Sequence, residues 1–144
     1  METTSNSTEL EILPDLCQHV QHAISDMEFY NDEMKFFRNL LDKYLQPLAD
    51  KDSIARLQET GKLLSELESQ KESVRIVLKG FMLKADDALQ QPSLMTDEQL
   101  TDLYLEIREQ QGAFIRSFRR FKKGLFAIME HLLQTERLQS LLCD

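Results

Sequence analysis

The sequence has no tryptophan, only four glycines and three prolines in 144 residues, and just two cysteines. Glycine and proline together average roughly 12% of ordinary proteins, so a chain this poor in them has little material for turns and must form few, long elements. Cys17 and Cys143 lie near opposite ends of the sequence. That placement suits unpaired thiols in a reducing compartment better than a disulfide framework. No apolar run approaches the roughly 18 residues of a bilayer-spanning helix, and the opening METTSNSTEL has neither the basic nor the apolar region of a signal peptide. The expectation is a cytoplasmic protein with no membrane partner.

Excess positive charge is missing as well. The net charge is −8, and an acidic chain repels a phosphate backbone, so nucleic acid is not the expected partner. Residues 1–50 hold ten acidic and three basic side chains, whereas the rest of the chain is nearly balanced. Also absent are a glycine-rich phosphate loop, a Cys-x-x-Cys pair, a nucleophile elbow and a His-Glu-x-x-His motif. The connectors are too short to carry an active site. The expectation is therefore no enzyme, no cofactor and no metal.

What the sequence does hold is heptad periodicity. Pro14 suits a first helical turn, where its missing N–H costs nothing. From there Leu16, Val20, Ala23, Met27, Tyr30, Met34, Phe37, Leu41 and Tyr44 recur at alternating steps of four and three, the spacing of a helix–helix seam. Pro47 should end this helix near residue 46, with Asp50 and Asp52 as candidate caps for the next. A second seam runs through Leu57, Thr60, Leu64, Leu67, Lys71, Val74, Leu78, Phe81, Ala85 and Ala88. A capping-box pattern, Thr96-Asp97-Glu98-Gln99, opens a third. That seam passes through Leu100, Tyr104, Ile107, Gln111, Phe114, Phe118, Phe121, Leu125, Ile128, Leu132, Thr135, Gln139 and Leu142.

These seams predict an all-α fold, an extended antiparallel three-helix bundle with coiled-coil-like packing. Its helices fall at about 14–46, 53–89 and 97–142, each about 45 to 70 Å long, in a single domain over 14–144 after a disordered tail over 1–13. Hairpin arithmetic brings Tyr30, Lys71 and Gln111, the polar members of the three seams, to one height as a buried polar layer that fixes register, with Glu28 or Glu33 as the partner of Lys71. The same arithmetic sets residue 134 level with Asp52, so Thr135 to Asp144 overhang the first turn.

Three side-chain constellations invite a functional reading. His19, His22 and Asp26 share one helical face at metal-ligand spacing, but His131 belongs to the other end of the bundle and no Glu-x-x-His pair accompanies them, so a solvated face is the ordinary reading. Ile76-Val77-Leu78-Lys79-Gly80 resembles the helix of histidine phosphotransfer domains, but Ile76 stands where the phosphorylated histidine would be, so that chemistry is absent. Hemerythrin-like bundles are another superficial likeness, without their metal histidines here. Last, Arg116, Arg119, Arg120, Lys122 and Lys123 form a basic run with no acid between Gln110 and Met129. Phe114, Phe118 and Phe121 interleave with it at core positions. The charges of the run fall on the outer face, roughly level with Glu28, Asp32 and Glu33 of the first helix and Glu66, Glu68 and Glu72 of the second, so the run is either a solvated, internally paired face or a dock for an acidic protein.

The stretch Met27-Glu28-Phe29-Tyr30-Asn31-Asp32-Glu33-Met34-Lys35-Phe36-Phe37 through Leu41 resembles long-helix proteins of unassigned function from Bacteroidetes bacteria. The resemblance implies a bacterial cytosolic helical protein and carries over no site residues. From the residues themselves the expected function is a helical scaffold or protein–protein interaction module, whose partner is a second copy (a homodimer) or another helical protein. The alternative is a sensor or small-ligand-binding bundle. The reason is apolar surplus beside the seams: Ile24, Phe29, Phe36, Leu40 and Leu45 on the first helix, Leu105, Phe126 and Leu133 on the third. Leu138, Leu141 and Leu142 keep the overhang apolar, and a two-fold partner would cover it.

Overall fold

The computed structural model describes the backbone of residues 3–143 and the side chains of residues 12–135. The protein is an all-α three-helix bundle, with no strand among the described residues. Helix α1 spans Thr3–Asn39, α2 spans Ile54–Gln90 and α3 spans Asp97–Cys143. No helix among the described residues is long and apolar enough to cross a membrane.

The first helix begins earlier than its sequence suggests. Helical backbone starts at Thr3, so Pro14 lies inside α1 rather than in its first turn. An internal proline removes one i→i−4 hydrogen bond and crowds the carbonyl four residues back, a local cost that the remainder of a 37-residue helix offsets. The other end of α1 is also reshaped by proline. Over Leu40–Leu45 the helix widens into a π-turn, in which the Gln46 N–H donates to the Leu41 carbonyl, and Gln46–Leu48 then closes as one 3₁₀ turn around Pro47. In a regular α-helix the Pro47 ring would collide with the carbonyl of residue 43. Widening the turn ahead of it relieves that clash.

The π-turn holds an extra residue, so it shifts the phase of the buried stripe. Leu16, Val20, Met27, Met34, Phe37 and Leu41 are buried as the heptads predict. Beyond Leu41 the next core residue is Leu45, 4% exposed, whereas Tyr44 is 61% exposed. The seam position at Tyr44 and the surplus position at Leu45 thus exchange roles. The α2 and α3 seams hold throughout the described residues, with Leu57, Leu64, Leu67, Val74, Leu78, Phe81, Phe114, Phe118, Phe121, Leu125, Ile128 and Leu132 all buried. Helix α2 is unbroken across Glu66 to Ser73.

Both connectors end in reciprocal caps. The Ser53 N–H donates to Asp50 Oδ1 at 2.8 Å and the Asp50 N–H donates to Ser53 Oγ at 2.9 Å. These two residues satisfy otherwise free amides at the start of α2. Asp50 is therefore the cap, with Ser53 as its unforeseen return partner. At the start of α3 the Gln99 N–H donates to Thr96 Oγ1 at 3.1 Å and the Thr96 N–H donates to Gln99 Oε1 at 3.0 Å, the capping box read from sequence.

Packing divides the chain into two units, Met1–Phe29 with Lys71–Phe114 and Tyr30–Gln70 with Ile115–Asp144. In the first, His19 lies against Tyr104, and Gln111 Nε2 donates to the Ala23 carbonyl at 3.3 Å, so α1 and α3 run parallel. The core of the second is aromatic. The Phe37 ring meets Phe118, Phe121 and Phe126 edge-on at 5.9 to 6.0 Å, and Tyr30 meets Phe118 at 5.7 Å. Arg38 reaches across to Ser65 and Glu68 of α2. Leu41 packs beside Gly61, so α1 and α2 are antiparallel there.

Candidate interaction surface

The second unit carries the strongest candidate surface, and helical geometry explains how it arises. Along α1, Glu33, Phe36 and Leu40 lie on the flank nearest α3; along α3, Lys122, Phe126, Met129 and Leu133 lie on the flank nearest α1. Lys122 Nζ sits 3.5 Å from Glu33 Oε2 and 4.9 Å over the Phe118 ring, which closes one end of this strip with a neutralised pair. Beyond that pair the strip is apolar. Phe36 is 61% exposed, Phe126 51% and Leu133 52%, with Leu40 and Met129 half-buried between them. Phe37 lies beneath, 5.5 Å from the Phe36 ring and 6.0 Å from that of Phe126. Of the surplus residues named from sequence, Phe29 and Leu105 are also exposed, Ile24 is half-buried and Leu45 is in the core.

The basic run of α3 begins beside this strip and continues around the helix away from it. Arg116, Arg119, Arg120 and Lys123 are exposed and Lys122 is half-buried. Of these, Lys122 pairs with one of the expected acids, Glu33. Arg119, Arg120 and Lys123 make no ion pair among the described residues. Glu68, expected opposite the run, is held by Arg38, and Glu72 pairs with Arg75 at 3.4 Å. Arg116, Arg119, Arg120 and Lys123 stand three or four residues apart, a spacing at which like charges repel by roughly 0.2 to 0.5 kcal/mol a pair. Against this run, Leu63, Glu66, Leu67 and Gln70 of α2 and Ser117, Arg120 and Phe121 of α3 line a groove of about 270 Å³. The sequence sets Glu66 level with the run but gives no role to Leu63, whose signal is its position beside the seam, next to Leu64, on the helix antiparallel to the basic run.

The first unit has a more polar groove of about 420 Å³, with Asp15, His19, His22, Asp26, Tyr104 and Arg108 among its walls. His19 and His22 are exposed, and no three potential ligands among the described residues are grouped to hold a metal ion. Between α1 and α2 of the same unit, Cys17 is a free, half-buried thiol beside Asp86 and Leu83. Burial, and secondarily the Asp86 charge, pushes its pKa up, which makes it a poor nucleophile.

The expected polar layer is distributed as follows. Lys71 and Gln111 belong to the first unit and Tyr30 to the second, and each is half-buried. Gln111 is bonded to Ala23 and Tyr30 packs on Phe118, while Glu33, a proposed partner of Lys71, is engaged by Lys122. His131, at the far end of α3, lies with Nε2 3.8 Å from Asp50 Oδ2. That contact sets residue 131 level with the α1–α2 turn, so the twelve residues from there to Cys143 extend about 18 Å further. Leu138, Leu141 and Leu142 lie on that stretch of α3, and their side chains are outside the described residues.

No family model, curated protein or solved structure matches this chain.

Proposed function

We propose that this protein is a non-enzymatic helical interaction module, working in the cytoplasm, whose exposed helix flanks bind another helix of a second copy or of a partner protein. The observation that carries the reading is the strip of Phe36, Leu40, Phe126, Met129 and Leu133, where two phenylalanines and a leucine stay more than half exposed beside a well-filled aromatic core. Contiguous apolar surface is costly in water and marks a contact face, and aromatic residues are the side chains that most often anchor such faces. A free Cys17 suits a reducing compartment.

A photo-cross-linking residue in place of Phe126 tests this reading, with the same group in place of exposed Lys62 as control. Cross-links from position 126 to another chain, absent from 62, support it. Cross-links from neither position, in a protein that sediments as a monomer, overturn it.

The runner-up, a ligand-binding bundle, draws on the His19–Tyr104–Arg108 groove of the first unit. Its signature would be chemical-shift changes at Tyr104 and His19 on addition of a small ligand, with position 126 silent.

A further inference from the structure

We infer that the α2–α3 groove of the second unit is a docking site for an acidic amphipathic helix of a partner protein. This inference rests on the reading of the chain as a helix-binding module and names the partner's chemistry. Three observations converge on it. The groove floor is apolar, formed by Leu63, Leu67 and Phe121, and Leu63 is left substantially exposed at its rim. The groove's volume of about 270 Å³ has room for one or two aliphatic side chains of a helix laid against it, a recognition mode read as anchors one turn apart. On the α3 side Arg120 lines the groove, and Arg116 and Lys123, four residues before it and three after it, stand in the same row on the helix just outside it.

Charge decides what kind of helix fits. In a chain of net charge −8, positive side chains alone occupy the twenty residues from Gln110 to Met129. Arg119, Arg120 and Lys123 make no ion pair among the described residues. An occupant with carboxylates at matching steps of four and three relieves the repulsion along α3 and pairs arginines in the forked geometry they favour. Glu66, on the opposite rim, disfavours a uniformly acidic strand and orients the helix so that its acidic edge faces α3.

The probe is a fluorescein-labelled synthetic helix with glutamates at i, i+4 and i+7 beside a central leucine, with an otherwise identical glutamine peptide as comparison. The full chain is expected to bind the glutamate peptide at least about tenfold more tightly than the glutamine peptide, and less tightly as salt is raised. Arg120→Glu combined with Lys123→Glu should abolish that preference. Leu63→Ser should weaken both peptides while helicity by circular dichroism is unchanged. Equal binding of the two peptides, or no binding of the glutamate peptide at millimolar concentration, overturns the inference. So does binding of phosphatidylserine vesicles without binding of the peptide, which would make the basic row a lipid contact. A dimer that the Arg120→Glu, Lys123→Glu protein loses also overturns it, because the occupant is then a second copy. Cross-linking from position 126 with no peptide binding removes acidic-helix docking alone and leaves the wider module standing.

Discussion

The π-turn at Leu40–Leu45 can be tested by two neighbouring truncations whose costs it sets in opposite order. A strict heptad makes Tyr44 a core residue and Leu45 a surface one; the structure leaves Tyr44 61% exposed and Leu45 4% exposed. Leu45→Ala removes about three methylene equivalents at about 0.8 kcal/mol each, and the cavity left behind raises the total to about 3 to 4 kcal/mol. Tyr44→Ala removes a ring that is mostly in water and should cost no more than about 0.5 kcal/mol. For a chain of this length a kcal/mol corresponds to about 3 °C in Tm, so Leu45→Ala should lower Tm by about 10 °C and Tyr44→Ala by less than about 2 °C. Thermal unfolding and urea titration followed at 222 nm read both values. A larger loss for Tyr44→Ala than for Leu45→Ala would refute the phase shift and restore an uninterrupted α-helical seam through residue 44.

Thr96→Ala deletes the hydroxyl that accepts the Gln99 N–H and should cost about 1 kcal/mol, read as a lower urea midpoint at constant slope; an unchanged midpoint would show the cap to be idle. The hydrogen bonds from Ser53, and more weakly the nearby His131, hold the Asp50 carboxyl below its ordinary pKa. A depressed carboxylate contributes stability that is present above its unfolded-state pKa of about 3.9 and lost as pH falls through the lower folded value. The wild type should accordingly lose more stability than Asp50→Asn between about pH 4 and pH 2; parallel pH profiles would contradict this. Lys71→Leu should raise Tm while broadening the set of assembly states, since a polar seam residue trades stability for register, and a fall in Tm with unchanged assembly refutes the polar-layer idea. Deleting Leu138 to Asp144 should turn a dimer into a monomer at unchanged helicity per residue, an outcome excluded if the full chain already sediments as a monomer at high micromolar concentration.

The fold was legible where physics is periodic. A seam residue is buried because its position repeats each 3.5 residues, and Leu57 to Ala88 on α2 and Leu100 to Leu132 on α3 follow that rule except at Lys71, Tyr104 and Gln111, which are half-buried. What the rule misses lies at the two prolines of the first helix. At Pro14 a missing N–H was read as a helix start, although a long helix can carry an internal proline. At Pro47 the helix does end near residue 46, in the 3₁₀ turn Gln46–Leu48, but the turn before it widens and moves Leu45 into the core. Neither outcome is encoded in the apolar pattern, because both depend on how much tertiary packing is available to offset a lost backbone bond.

The candidate surfaces were legible only in part, for a different reason. Phe36, Phe126 and Leu133 stood out because they exceed what one seam can cover, and they are exposed. The basic run was equally visible, but whether its charges were internally paired depended on competition among acids that sequence spacing leaves open. Glu33 goes to Lys122 and Glu68 goes to Arg38. Once Arg38 has taken Glu68 and Arg75 has taken Glu72, Glu66 is the expected α2 acid left beside Arg120 in the groove at Leu63, and Arg119, Arg120 and Lys123 make no ion pair among the described residues. The arginine on α1 is thus the residue that leaves the α3 row open. Arg38→Ala should release Glu68 toward α3 and weaken any acidic helix bound there, a coupling between α1 and the groove that a double-mutant cycle with Arg120→Ala would measure.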